Sequence, residues 1–296
     1  MIMQDVNHRS VIFEQSRRRL FGLAYRMLGS KADAEDMVQE AYLRWHQAPA
    51  DEIRSPEAWL VTVVTRLCID RLRSAAVERE TYPGMWLPEP LFGESPPSPD
   101  EQIELASNLS MAFMILLERL APAERAAFLL RDVFDCPYSE IARIIGKSEA
   151  ACRQIVSRAR ERVRRDQPRF EASEEDRLRL MEKFATAIDA NDEQTLLALF
   201  AEDVTLTSDG GGKTPAARNV VCGAERLTRL FLSVARKLKG KVTRTFLPIN
   251  GEPGLVTFVD GRPVSALSFV TDGVRIHALY NVLNPDKLKD INRSEK

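Results

Sequence analysis

The chain has 296 residues, a formal net charge of −1, four cysteines and three histidines. That length accommodates two or three domains, and the near-neutral balance excludes binding of nucleic acid by overall basicity, so DNA affinity must come from local patches. Cys68, Cys136, Cys152 and Cys222 form no C-x-x-C pair, and His8, His46 and His277 show no metal-ligand spacing, which excludes a disulfide scaffold and gives no reason to expect a metal or cofactor.

Phe13, Leu20, Leu23, Ala24 and Met27 recur at helical spacing, so a helix is expected over 13–28, broken at Gly29-Ser30. The pattern restarts from Asp33 to Gln47 on Ala34, Met37, Val38, Ala41 and Leu43. Asp36, Gln39 and Glu40 lie within about one turn there and share a polar face. Acids early in a helix also complement its dipole, which accounts for Asp33 and Glu35 but less well for Gln39 and Glu40. Pro56 suits a first helical turn and opens a helix from Glu57 to Ala76. Trp59, Leu60, Val63, Val64, Leu67, Cys68 and Leu72 are its expected core, and Thr62, Arg66, Asp70, Arg71 and Arg73 its polar side. Tyr82–Pro90 and Glu94–Pro99 are too rich in proline for a regular element and read as an extended connector.

Helices resume from Asp100. Within Pro137–Arg165, Ser139 is the expected cap of a short helix carrying Ile141, Ala142 and Ile145, which Gly146 breaks. Ser148 then caps a second helix whose apolar stripe is Cys152, Val156, Ala159 and Val163. Arg153, Gln154, Ser157, Arg158, Arg160, Arg164 and Arg165 turn away from it, and Glu161 is the one acid among them. A solvated helix usually mixes its charges, so a basic face of this kind asks for a polyanion. Two helices across a tight turn, the second basic, is the geometry that enters a DNA major groove. After Pro168 a helix is expected over 174–190, then a short one over 196–200. Strand-like runs follow over 204–207, 242–247, 255–259, 264–269 and 274–280, separated in places by Asn250-Gly251, Asp260-Gly261 and Asp272-Gly273. Helices followed by hairpins argue for an α+β domain.

Three blocks in this order resemble the extracytoplasmic-function group of bacterial sigma factors: Asp33-Ala-Glu-Asp-Met-Val-Gln-Glu40; Ala58-Trp-Leu60 with Asp70-Arg-Leu-Arg73; and Tyr138-Ser-Glu-Ile-Ala142 with Ser157-Arg-Ala-Arg160. The resemblance spans roughly the first 165 residues. It implies a dissociable subunit of bacterial RNA polymerase that places the enzyme on promoter DNA. Asp36, Gln39 and Glu40 would meet core polymerase. Arg54, Thr62, Arg66, Arg71 and Arg73, within a loop and helix over 50–73, would take the −10 element. Arg153, Gln154, Ser157 and Arg158 would read the −35 element, with Arg160, Arg162, Arg164 and Arg165 on phosphates. Ile155 and Arg66 depart from the family, where many relatives carry a basic residue and an asparagine, and this leaves the promoter sequence open.

Trp86-Leu-Pro-Glu-Pro90, Asp209-Gly-Gly-Gly-Lys213 and Asn284-Pro-Asp-Lys-Leu288 resemble the marks of a subgroup that fuses a SnoaL-like, cone-shaped α+β domain to the sigma factor. Taken alone, Asp209–Lys213 reads as a flexible loop, and its spacing is not that of a P-loop. The expected division is sigma region 2 over 1–80, a linker over 81–105, a region 4 helix-turn-helix over 106–168 and the SnoaL-like domain over 174–296. Two all-α modules are thus joined to an α+β cone. Trp86, Leu87 and Pro88 are expected to offer an exposed apolar surface. Asp209, Gly210, Gly211, Gly212 and Lys213, with Asn284, Pro285 and Asp286, would meet it as a regulatory interface. A cone fold can enclose a pocket, so an unidentified small ligand is a second expectation. His277 and Asp203 form no catalytic constellation, and a non-enzymatic regulatory module is expected. The alternative is a one-component helix-turn-helix regulator with a ligand-sensing domain. It leaves the acidic block and the connector without purpose. No apolar run reaches the ~20 residues of a membrane span and no signal core opens the chain, so a cytoplasmic protein without membrane partners is expected.

Overall fold

The computed structural model of the chain describes residues 2–49, 53, 55–92, 109–166 and 172–291. They group into two units, one drawn from 1–80 and 116–166, the other from 81–115 and 167–296.

The first unit is helical. Helix α1 (Ile2–Leu28) ends where Gly29 takes a left-handed φ of 67°, and Ser30 caps α2 (Lys31–Gln47) by accepting the Asp33 N–H. After Pro56 opens α3 (Pro56–Glu80), Leu60, Val64, Cys68 and Leu72 bury against Leu20, Leu23, Ala24 and Met27 of α1, with Ala34, Val38 and Ala41 of α2 also buried. The rest is the end of α4 (Met111–Glu118), α5 (Pro122–Asp132), α6 (Tyr138–Ile145) and α7 (Glu149–Asp166). Helix α6 begins two residues earlier than expected. Pro137 stands at its cap and no side chain caps it, so Ser139 lies inside the first turn rather than at its head. Gly146 closes α6 at φ 70°, and Ser148 Oγ accepts the Ala151 N–H at 3.2 Å to open α7. Cys152, Val156, Ala159 and Val163 form the buried stripe, whereas Cys136 lies in the loop between α5 and α6.

The second unit joins α8 (Glu174–Asp189), α9 (Glu193–Leu199) and α10 (Ala224–Lys237) to a six-stranded sheet. Its strands are β1 (Phe200–Asp209), β2 (Val221–Cys222), β3 (Val242–Ile249), β4 (Glu252–Val259), β5 (Arg262–Thr271) and β6 (Ile276–Val282), in the order β2-β1-β6-β5-β4-β3. β1 and β6 are parallel and every other pair is antiparallel. The Asn250-Gly251 and Asp260-Gly261 turns have positive φ at both residues, the geometry of two-residue hairpins. Helix α10 was not anticipated from the sequence. Its signal was nevertheless present, because Leu227, Leu230, Phe231 and Ala235 follow Gly223 at helical spacing.

Side chains alternate across a strand, so the sheet carries two cores. Leu255, Leu267, Phe269 and Leu279 face the helices, where Phe184 meets Phe200, Phe231 and Phe269 edge-on with centroids 5.2–6.1 Å apart. Val256, Phe258, Ala266 and Val282 face the other way and pack with Leu87, Met111, Leu288 and Ile291. The connector therefore covers a sheet face. Phe92 bridges to Ile249, Leu91 exchanges hydrogen bonds with Asn250 at 2.7 and 2.9 Å, and Asn250 Nδ2 donates to the Leu109 carbonyl.

Candidate functional site

The expected functional residues form three groups. On α2, Asp36 and Gln39 are exposed, and Glu40, half-buried, accepts a 2.7 Å bond from Arg44 one turn on. Leu43 continues the stripe and is 47 % exposed, an apolar centre among polar neighbours.

The polar side of α3 is more engaged than its sequence implies. Arg66 donates to the Arg143 and Ile144 carbonyls at 2.8 and 3.2 Å, satisfying the end of α6, where carbonyls lack partners. Arg71 is paired with Asp33 at 2.9 Å, Arg73 with Asp70 at 3.3 Å, and Thr62 Oγ1 donates to the Ala58 carbonyl. Arg54 lies outside the described residues. On α7, Arg153, Gln154, Ser157, Arg158 and Arg164 are exposed on one side. Arg160 reaches both Asp132 oxygens through Nε, at 3.0 and 2.7 Å. These bonds hold its pKa above the usual guanidinium value. Arg162 pairs with Glu124 at 2.9 Å. Ile155 is 7 % exposed and faces the core, which explains why it is not basic.

The third group lies within the α+β unit and brings together residues far apart in sequence. Asp209, at the end of β1, is fully buried. It accepts from Tyr82 Oη at 2.6 Å, the Leu87 N–H at 2.9 Å, the Gly211 N–H at 3.0 Å and Lys287 Nζ at 2.7 Å. Asn284 Nδ2 donates to Tyr82 Oη at 3.1 Å, and Lys287 also donates to the Leu87 carbonyl. The Lys287 ammonium sits 4.3 Å from the Trp86 ring centroid and 5.4 Å from that of Tyr82, within cation–π range. Burial, then the Asp209 hydrogen bond, pushes the Tyr82 phenol above its usual pKa. Outside this core, Lys213 pairs with Asp286.

The Asp209–Lys213 segment is thus a packed turn rather than a free loop. Gly211 (φ 59°) and Gly212 (φ 70°) are left-handed, and an added Cβ would overlap Asn284 at the first and Pro83 at the second. A second correction concerns Leu87, which is fully buried instead of exposed; its neighbour Trp86 is half-buried, and Pro88 is buried. Tyr82 and Lys287 are the residues missed by sequence reasoning. Lys287 lies inside the Asn284–Leu288 block and Tyr82 in the connector just before Trp86, but nothing local marked them as partners of one carboxylate. Elsewhere, His277 Nε2 lies 2.9 Å from Asp272, and Asp203 is exposed. Among the described residues, no group of three His, Cys, Asp or Glu side chains is gathered as for a metal, and no helix is long and apolar enough to cross a membrane.

Residues 12–77 match the Sigma-70 region 2 family and residues 110–163 match Sigma-70, region 4. The chain is 41 % identical to the ECF RNA polymerase sigma factor SigJ of Mycobacterium tuberculosis, over 93 % of this chain and 91 % of that protein. It is 32 % identical to the probable ECF RNA polymerase sigma factor SigI of the same organism, over 94 % of each. The crystal structure of M. tuberculosis SigJ superposes with a TM-score of 0.74 at 38 % identity, covering 95 % of this chain and 98 % of that one.

Proposed function

Because the chain belongs to the extracytoplasmic-function sigma factors of RNA polymerase, we propose that it is a promoter-specificity subunit restrained by its own C-terminal domain. The α2 face of Asp36, Gln39, Glu40 and Leu43 meets core polymerase, α3 takes the −10 element and α7 reads the −35 element. The restraint rests on one observation: Asp209 joins the connector, through Tyr82 and Leu87, to the C-terminal Lys287. Complementary charge mainly sets partner choice and encounter rate, which suits an acidic stripe with an apolar centre. Asp36→Lys/Glu40→Lys is expected to weaken core-polymerase binding while changing stability by about 0.5 kcal/mol or less. Unchanged affinity in the folded double variant, measured by fluorescence anisotropy against core enzyme, contradicts the assignment.

For α7 the division into reading and positioning residues is testable with duplexes varied one base pair at a time. Arg153→Ala is expected to cost roughly 1–3 kcal/mol and relax preference at one promoter position. Arg164→Ala should weaken all sequences alike and reduce the salt dependence. Identical uniform losses in both variants refute the division.

The restraint is tested by in vitro transcription with core polymerase. A chain cut before Asn284 should change promoter output without abolishing DNA binding. That cut also removes Leu288 and Ile291 from the sheet core, so Lys287→Met serves as the milder variant, leaving Asp209 its three other donors. Output equal to the intact chain from both variants, checked as folded, rejects the restraint. A one-component regulator would bind its operator alone and gain nothing from core enzyme. The family match and the acidic α2 face favour the polymerase reading.

A further inference from the structure

The α+β unit carries a second basic surface that the proposed function does not use. Between Ala224 and Arg244 the chain has seven basic residues and one acid, Glu225, in a protein whose net charge is −1. On α10, Arg226, Arg229, Arg236 and Lys237 fall within an arc of about 100° at 100° per residue. Leu227, Thr228 and Leu232, on the remainder of the helix, are buried against the sheet. Lys239 and Lys241 extend the stripe past the helix end around Gly240, and all six cations are exposed. Of the three nearby acids, only Asp189 is paired outside the stripe. Asp260 accepts the Lys241 backbone N–H, Asp189 is paired with Arg244, and Glu225 is paired with Arg229 at 3.8 Å. Arg236 bonds the neutral Asn191 side chain, which leaves its charge uncompensated.

We propose that this stripe on α10, extended by Lys239 and Lys241, binds the phosphate backbone of double-stranded DNA. Resting on the promoter-binding reading above, it adds a DNA contact that reads no sequence. From Arg226 to Lys237 the stripe runs about 16 Å at 1.5 Å per residue. That matches the axial length of about five base pairs at 3.4 Å each. The covalent chain favours DNA over other polyanions. Residues 167–173 join Asp166, at the end of the recognition helix, to Glu174, and eight peptide steps reach at most about 28 Å. A unit in the same chain meets any duplex that α7 engages at high effective concentration.

The test compares the full chain with Arg226→Gln/Lys237→Gln/Lys239→Gln/Lys241→Gln on a random-sequence 30-base-pair duplex, titrated from low to moderate salt. Neutralising one phosphate fewer reduces the slope of log K against log salt by about 0.9. The expected result is a slope smaller by about 3.6, at least tenfold weaker binding at low salt, and unchanged affinity for core polymerase. Arg164→Gln/Arg165→Gln should lower the slope separately, and the two sets should add. Unchanged duplex affinity and slope in the folded quadruple variant overturn the proposal. Loss of core-polymerase affinity with duplex binding intact also overturns it and assigns the stripe to an acidic protein surface. Failure of the wild-type chain to bind core enzyme would instead count against the sigma-factor reading, so the two failures are distinguishable.

Discussion

Asp209→Ala is expected to destabilise the α+β unit by about 3–5 kcal/mol, because it leaves a desolvated cation without its anion. Asp209 is fully buried and the Lys287 side chain is only 12 % exposed, so water cannot replace the missing carboxylate. The Tyr82 hydroxyl and the Leu87 N–H lose their acceptor in the same step, and each buried group left unsatisfied adds to the penalty. Asp209→Asn keeps the shape and one acceptor oxygen, so its cost should be smaller. Urea unfolding followed by Trp86 fluorescence measures both, and amide exchange at Leu87 reports whether the connector has left the sheet. If the alanine variant is as stable as the parent and Leu87 stays protected, the carboxylate does not hold the connector. If instead exchange rises at Leu87 alone, the motif is a clasp on an otherwise independent sheet.

The second large effect is expected at Glu118, inside the helical unit. Arg125 is 2 % exposed and donates through Nη1 to Glu118 at 2.6 Å and to the Met27 carbonyl at 2.7 Å, while its Nε finds no acceptor. Arg79 also pairs with Glu118 and caps the Leu28 carbonyl at 2.9 Å. Two cations from α3 and α5 thus share one carboxylate at the C-terminal end of α1, where a helix dipole favours positive charge. Glu118→Ala is expected to cost about 3–5 kcal/mol by stranding Arg125, and Glu118→Gln less. Helical circular dichroism during urea titration reads the loss. A change below about 1 kcal/mol in the alanine variant would show that Arg125 is stabilised by the α1 carbonyls alone. Together with the Arg66 bonds to α6, the network ties α1–α3 to the helix-turn-helix.

Local patterning in the sequence determined the helical half almost completely. The apolar periodicity of α1–α3, the left-handed stops at Gly29 and Gly146, and the cap at Ser148 all act within a few residues, so their outcome could be read without knowing the fold. Asn250-Gly251 and Asp260-Gly261 marked their hairpins for the same reason. Tertiary structure decided what depends on partners distant in sequence. The prolines of 82–90 specified extended chain, yet Leu87 is buried because a sheet face built from β4, β5 and β6 was available to receive it. Ile155 and Arg66 departed from the family pattern without explanation until packing placed one in a core and the other on the α6 carbonyls. Most of all, the sequence could show three short motifs in order but not the buried carboxylate that joins them. A charge inside a protein is tolerated only where several donors converge, and that convergence, of Tyr82, Leu87, Gly211 and Lys287 on Asp209, exists only once the chain has folded.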